Sequence, residues 1–166
     1  MTTRPQGSGP SNAAQDVAHL GLVRPPLVFL TSLVTGALIQ LARPRPFFPE
    51  TLAVPLGASL VVVAIALFSS AVAKFRAART PVPARKPTTV IVRTGPYRSS
   101  RNPIYLAFSA LQVGIALWVD SLWLLVTLVP ALALMSFWVI PREERYLEAR
   151  FHSEYLPYKS SVRRWL

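Results

Sequence analysis

The stretch LAVPLGASLVVVAIALFSSAVA, Leu52–Ala73, runs for 22 residues without one charged side chain. As a helix it reaches across the roughly 30 Å hydrocarbon core of a bilayer, which takes about 20 apolar residues. Three further runs have the same character. Leu27–Ala42 reaches 18 residues when Pro25 and Pro26 are included, Ile104–Val119 has 16, and Leu122–Ile140 has 19. Four such helices in 166 residues leave no amphipathic shell to bury them as the core of a soluble domain. The expectation is an all-α polytopic membrane protein with four transmembrane helices near residues 25–42, 52–75, 103–119 and 121–140.

Composition supports this. Apolar residues make up 52% of the chain and charged residues 15%, which excludes disorder of the chain as a whole. There is no cysteine, so disulfides, thiolate-bound metals and a thiol nucleophile are excluded. His19 and His152 are the only histidines, so neither a metal site nor a Ser-His-Asp triad is expected. No glycine-rich phosphate loop or dinucleotide fingerprint occurs. Residues 1–20 are polar and rich in Gly, Pro, Ser and Asn, and are expected to form a disordered tail with no signal peptide. Residues 21–166 then form one membrane domain.

The net charge is +11, from 18 Lys and Arg against 7 Asp and Glu. Its placement decides its meaning. The segment between the second and third runs is rich in Arg and Lys, as is the C-terminal tail, whereas only Arg43 and Arg45 separate the first two runs. With both termini cytoplasmic, 16 basic residues lie inside and 2 outside. The charge is therefore a topology signal and a contact for anionic lipid, and nucleic acid is not an expected partner.

Val119-Asp120-Ser121 leaves room only for a tight antiparallel hairpin between the third and fourth helices. Pro130, in the middle of the fourth run, is expected to bend that helix. The sequence complexity lies at the cytoplasmic ends of this hairpin. Lys74–Pro103 holds six prolines and glycines, with Thr88–Val92 (TTVIV) expected as a short β-type or extended run and Gly95-Pro96 as a turn. After Ile140 comes PREERYLEARF, expected as a separate charged helix.

Within these segments, Asn102 fits the N-cap and Pro103 the first position of the third helix. Arg101 beside them reads either as a snorkelling anchor or as a ligand for an anionic group such as a carboxylate. Glu143 and Glu144 fall at the same membrane depth. They read either as acids favoured by a helix N-terminus or as partners for the ammonium or hydroxyls of a ligand. Tyr97, Tyr105, Tyr146, Tyr155 and Tyr158 gather in the same segments and suit an interfacial aromatic belt.

The string TPVPARKPTTVIVRTGPYRSSRNPIYL (Thr80–Leu106), followed by EERYLEARFHSEYLPYKSSVRRWL (Glu143–Leu166), resembles the isoprenylcysteine carboxyl methyltransferase family. More broadly, the chain resembles the phospholipid methyltransferase-like integral membrane methyltransferases over residues 74–166. The resemblance implies a pocket for S-adenosylmethionine at the cytoplasmic face, closed by the C-terminal helical segment, in a bacterial inner membrane. By matched position it implies that Val90, Ile91, Val92, Tyr97, Asn102, Pro103, Ile104 and Tyr105 line the cofactor, whose carboxylate suits Arg101 and the helix start. It also implies that Glu143 holds the cofactor's amino acid or ribose part, with Glu144 beside it. Arg101, Asn102 and Tyr105 would position the reactants, and the acceptor would be a lipophilic small molecule or lipid. The alternative is a non-catalytic membrane binding or scaffold protein that keeps this fold. Departures from the family pattern are Asn102 for a histidine, Ala107 and His152 for glycines, and Val139 where the prenylcysteine enzymes place an arginine.

Overall fold

A computed structural model describes residues 24–79 and 90–166. Helix α1 spans Pro25–Ala42, α2 Glu50–Ala77, α3 Pro103–Trp118, α4 Leu122–Leu134 and α5 Ile140–Ser161. A single 3₁₀ turn, Gly95–Arg98, precedes α3, and a π-helical turn, Met135–Val139, joins α4 to α5. The expected tail at residues 1–20 lies outside the described residues, as do Thr88 and Thr89.

Three of these helical stretches are long and apolar enough to cross a membrane, namely α1, α2 and the continuous run Leu122–Ser161. This is an integral membrane protein. The third apolar helix, α3, has 16 residues, or about 24 Å of rise, and is the short member of the bundle. Two expectations are corrected. Val90–Val92 form no strand but an irregular link into the 3₁₀ turn. The charged segment after Ile140 is not a separate helix, because α4 runs into α5 without a break in helical backbone.

The cause lies in Pro141. It has no N–H, and in an α-helix its ring would strike the carbonyl of Phe137. The chain widens to a π-turn instead, in which the Ile140 N–H donates to the Met135 carbonyl five residues back. The irregularity therefore falls before Pro141, while Pro130 is accommodated inside α4.

In lipid there is little hydrophobic drive between helices, so association depends on close packing. The interior of the bundle is lined with small residues accordingly. Helix α2 buries Ala53, Gly57, Ala64 and Ala71 against α3, which buries Ala107, Gly114 and Ala116. At the crossing the two backbones touch: a Cβ on Gly57 would sit 2.4 Å from the Trp118 nitrogen. A Cβ on Gly114 would sit 2.9 Å from the Val61 nitrogen. Helix α1 docks on α4 in the same way through Ser32 and Gly36, the latter against Leu124 and Thr127. The order across the bundle is thus α2, α3, α4, α1. The large side chains Leu30, Val34 and Leu38 of α1, and Val62, Val63 and Ile65 of α2, stay exposed and suit contact with lipid.

Polar groups tie the helices together at two levels, although the Gln112 side-chain oxygen is buried with no hydrogen-bond partner among the described residues. Gln112 of α3 is buried and donates through Nε2 to the Ser32 hydroxyl at 2.7 Å and to the Leu124 carbonyl at 2.9 Å, binding three helices together. At the α3–α4 turn, Asp120 adopts a left-handed backbone at φ +44. Its carboxylate accepts the amides of Phe47 and Phe48 at 2.8 and 2.9 Å, fixing the α1–α2 loop to this turn. At the opposite end, α5 kinks at Phe151 and folds back across the mouth of the bundle.

Gly57→Val is expected to cost on the order of 1–3 kcal/mol or more, because the added carbons meet backbone that cannot move aside. Val62→Ala, on the exposed face, should stay within about 0.5 kcal/mol. Thermal unfolding of both variants in one detergent checks the difference; equal midpoints would refute backbone contact at this crossing.

Candidate functional site

The end of the bundle opposite Asp120 gathers the polar residues. Gly95 opens the 3₁₀ turn at φ +64, a left-handed conformation that suits glycine, with the Lys74 stem 2.7 Å from where a Cβ would be. The turn buries Tyr97 against Ala71, Phe75 and Val92. The Tyr97 ring meets Phe75 edge-on at 5.3 Å between centroids. Ile104, on the first turn of α3, packs on this cluster and on a second one formed by Phe29, Tyr105, Leu128, Met135, Val139 and Ile140. Pro103 is fully buried at the start of α3. Of the apolar candidates, Val92 is buried and Ile91 half-buried, whereas Val90 is 48% exposed and stands apart from the cluster.

Glu144 is the centre of the charged network. It is buried, and Arg164 grips it with two parallel bonds, Nε to Oε1 at 3.0 Å and Nη2 to Oε2 at 2.8 Å. Arg101 lies on its other side, Nη1 3.1 Å from Oε1. That approach is ionic without hydrogen-bond alignment, so the Nε and Nη1 protons of Arg101 are buried with no hydrogen-bond partner among the described residues. Hydrogen bonding by Glu144 holds the Arg164 guanidinium above its ordinary pKa. The C-terminal segment is tied down as well. The Arg101 amide donates to the Arg163 carbonyl at 2.9 Å, and Asn102 Nδ2 donates to the Arg164 carbonyl at 3.0 Å.

Asn102 thereby departs from its expected part. It occupies the N-cap position of α3, but its side chain makes no capping bond and holds the C-terminal segment instead. Its own amide is satisfied by the Ser100 hydroxyl at 3.1 Å. Arg101 is likewise not a free anchor: Glu144 shares its charge, while its Nε and Nη1 protons keep no hydrogen-bond partner among the described residues.

Glu143 has the opposite surroundings from its neighbour. Tyr105 donates its hydroxyl to Glu143 Oε1 at 2.6 Å. The residue keeps partial exposure, but protein groups crowd its carboxyl. This desolvation, with a smaller push from the Glu144 charge, lifts its pKa to about 7 against the lowering effect of the Tyr105 bond. Tyr158 donates to the Tyr97 carbonyl at 2.8 Å, and burial raises the Tyr158 phenol to about 12. Tyr97 is raised too, by burial first and by Tyr158 second, and its hydroxyl has no partner among the described residues.

Arg164, Ser100 and Tyr158 belong to this network, and nothing in the sequence singles them out as site residues. The basic pair Arg163-Arg164 is visible there only as charge, because which acid an arginine meets depends on how α5 folds back. The arrangement as a whole is a cluster of buried polar and apolar groups at one end of the bundle. Buried orphan donors on Arg101 and Tyr97 can receive an anionic or hydroxylated ligand, one carboxyl can exchange a proton near neutrality, and apolar walls of Val92 and Ile104 can hold a flat or aliphatic group.

Comparison with known proteins identifies the family. The sequence profile of the family described as phospholipid methyltransferase matches residues 52–154, and the chain belongs to this family of membrane methyltransferases. An uncharacterized protein of Haemophilus influenzae is 33% identical over 63 residues, which are 38% of this chain and all of that protein. No solved structure matches.

The charged network can be tested in two ways. Glu144→Ala leaves Arg101 buried beside no charge and should cost about 3–5 kcal/mol, whereas Arg164→Ala, at the more exposed partner, should cost clearly less. Denaturation of the two variants side by side checks the order. The second test concerns pH. A carboxyl raised in the folded state contributes stability that is complete at low pH and is lost as pH rises through the folded value. From about pH 4.5 to about 7, wild-type stability should therefore fall more steeply than that of Glu143→Gln, by up to about 1.4 kcal/mol per pH unit. Parallel curves would show that Glu143 titrates as an ordinary surface acid.

Proposed function

We propose that the protein is an S-adenosylmethionine-dependent methyltransferase that acts on a lipophilic, membrane-embedded acceptor. The observation that carries this reading is the set of buried, unpaired donors on Arg101 and Tyr97 in a membrane-face site of this family. A buried donor left unpaired costs about 1–3 kcal/mol, and a ligand carboxylate or hydroxyl would recover that cost. The methyl donor has a carboxylate, an ammonium, ribose hydroxyls and a flat adenine, and the donors, carboxyls and apolar walls present are of matching chemistry.

In this reading Arg101 receives the carboxylate, with Glu144 and Arg164 holding its guanidinium in place. Tyr97, Asn102, Pro103 and Ile104 form the wall on the α3 side, with Ile91 and Val92 above them. Val90 contributes least, being exposed. The cofactor supplies a methyl group on an activated sulfonium. The protein's share is to bind, align and exclude water, and the buried aromatic cluster around Tyr97 and Phe75 suits the last task. The 16-to-2 asymmetry of basic residues supports a cytoplasmic position for both termini and for the site. Val139 stands buried in the apolar cluster, which supports an acceptor other than one with a prenylcysteine carboxylate.

Calorimetry of the purified protein in detergent with S-adenosylmethionine and its demethylated product tests this directly. Binding of both is expected, and Arg101→Ala should weaken it by about ten- to a hundred-fold through loss of charge-assisted bonds. Arg101→Lys should rescue little, since it keeps the charge but not the planar fork. Lack of any binding by the wild type would favour a scaffold role instead.

A further inference from the structure

Two guanidinium groups meet Glu144, and they meet it in different ways. Arg164 engages both carboxylate oxygens, Nε with Oε1 at 3.0 Å and Nη2 with Oε2 at 2.8 Å. Arg101 brings Nη1 to within 3.1 Å of Oε1 without aligning a hydrogen bond, so its Nε and Nη1 stay buried and unpartnered among the described residues. Two positive charges against one negative leave a surplus of one. The Arg164 side chain is 38% exposed and that of Arg101 11%, so the surplus that water cannot screen sits on Arg101.

Without Arg164 the balance changes. Arg101 would find both oxygens of Glu144 open to its planar fork and would pair with them alone. That pair is neutral, and a second carboxylate brought to it would meet the charge of Glu144 with no cation to spare. Arg164 therefore acts on Arg101 through Glu144, with no need to touch a ligand itself.

We propose that Arg164 is a positioning residue that occupies Glu144 and so keeps Arg101 open for one monoanionic group, the cofactor's carboxylate, and that docking of the C-terminal segment and capture of this carboxylate are one coupled event. This rests on the methyltransferase reading above. Arg164 is third from the end of the chain, and the Arg163 and Arg164 carbonyls of the same segment receive the Arg101 amide and the Asn102 side chain. When the segment lifts, Glu144 falls to Arg101 and the anion site is cancelled; when it docks, the site is restored. By linkage, an anion that binds the docked state better strengthens docking by the same factor. A ligand without a carboxylate gains nothing from Arg101 and leaves the segment as it is. Glu143, which pairs with no cation among the described residues, stays available to the cofactor's ammonium or ribose hydroxyls.

The test uses the full chain in lipid nanodiscs and two probes, S-adenosylmethionine and its decarboxylated analogue, which keeps the sulfonium, ammonium, ribose and adenine. The wild type should bind S-adenosylmethionine about ten- to a hundred-fold more tightly than the analogue. Arg164→Gln should erase most of that difference while the Kd of the analogue moves only a few-fold. Adding Glu144→Gln to Arg164→Gln should restore S-adenosylmethionine affinity to within a few-fold of wild type, because Arg101 again lacks an anionic partner. A residue that merely anchors the segment would be harmed further, not rescued, by loss of its partner. Hydrogen exchange needs no variant: the Arg101 amide and residues 162–166 should exchange more slowly with S-adenosylmethionine than with the analogue, each at saturation. The proposal is overturned if Arg164→Gln binds S-adenosylmethionine like wild type, if the double variant binds no better than Arg164→Gln, or if both probes slow exchange equally. Should Arg164→Gln fail to fold, the exchange comparison decides. Equal wild-type affinity for the two probes takes the carboxylate away from Arg101 and overturns the proposal while the methyltransferase reading stands. Binding of neither probe overturns both.

Discussion

One buried carboxylate, Glu144, joins three parts of the chain that are far apart in sequence. Arg101 reaches it from the start of α3 and Arg164 from the last residues, while Glu144 itself is carried on α5. Taking a carboxylate out of water costs several kcal/mol, so it persists only where opposite charge and hydrogen bonds surround it. The bidentate Arg164 contact satisfies both oxygens and fixes the direction from which the C-terminal segment approaches. With the segment fixed, its carbonyls are in place to receive the Arg101 amide and the Asn102 side chain. The same charge thus holds the C-terminal segment and orients Arg101.

Below this polar lid the bundle obeys a different rule. Apolar surface gains nothing by leaving lipid for protein, so the helices are held by contact and by a few internal polar bonds. This explains why glycines and alanines line the helix crossings while large residues such as Leu30, Val34, Leu38, Val62 and Val63 face outward. It also explains Gln112, whose buried amide ties α3 to α1 and α4. Such an amide in an apolar layer finds partners only when all three helices are present. The hairpin turn at Asp120 and the lid at Glu144 then fix the two ends of the bundle.

The apolar runs are legible in the sequence because hydropathy acts locally: α1 and α2 lie within two residues of the expected spans. The hairpin is legible because the link between α3 and α4 is so short. The residues of the site are legible as a set, through spacing and resemblance, but their partners are not. Asn102 looks like a helix cap because Asn before Pro usually has only its own helix to serve; here the returning C-terminal segment competes for its amide. Arg101 looks open to a ligand because nothing in the order of residues brings Glu144 to it. The continuity of α4 into α5 is hidden by Pro141, which ordinarily ends a helix and here only widens it.

That widening sets the angular phase of α5. Each residue of an α-helix advances the side chain by about 100°, so one residue accommodated in a π-turn rotates everything beyond it by that amount. Met135 and Val139 stay packed in the bundle, and Glu144 still points inward to its two arginines. In an uninterrupted α-helix the same sequence would carry Glu144 around toward the flank and bring another residue inward in its place. The insertion therefore acts as a fixed angular offset between the membrane part of the chain and its polar lid. Chain length between Met135 and Pro141 is consequently under a constraint that side-chain identity there is not: a residue may be exchanged in this turn more readily than one may be added or removed.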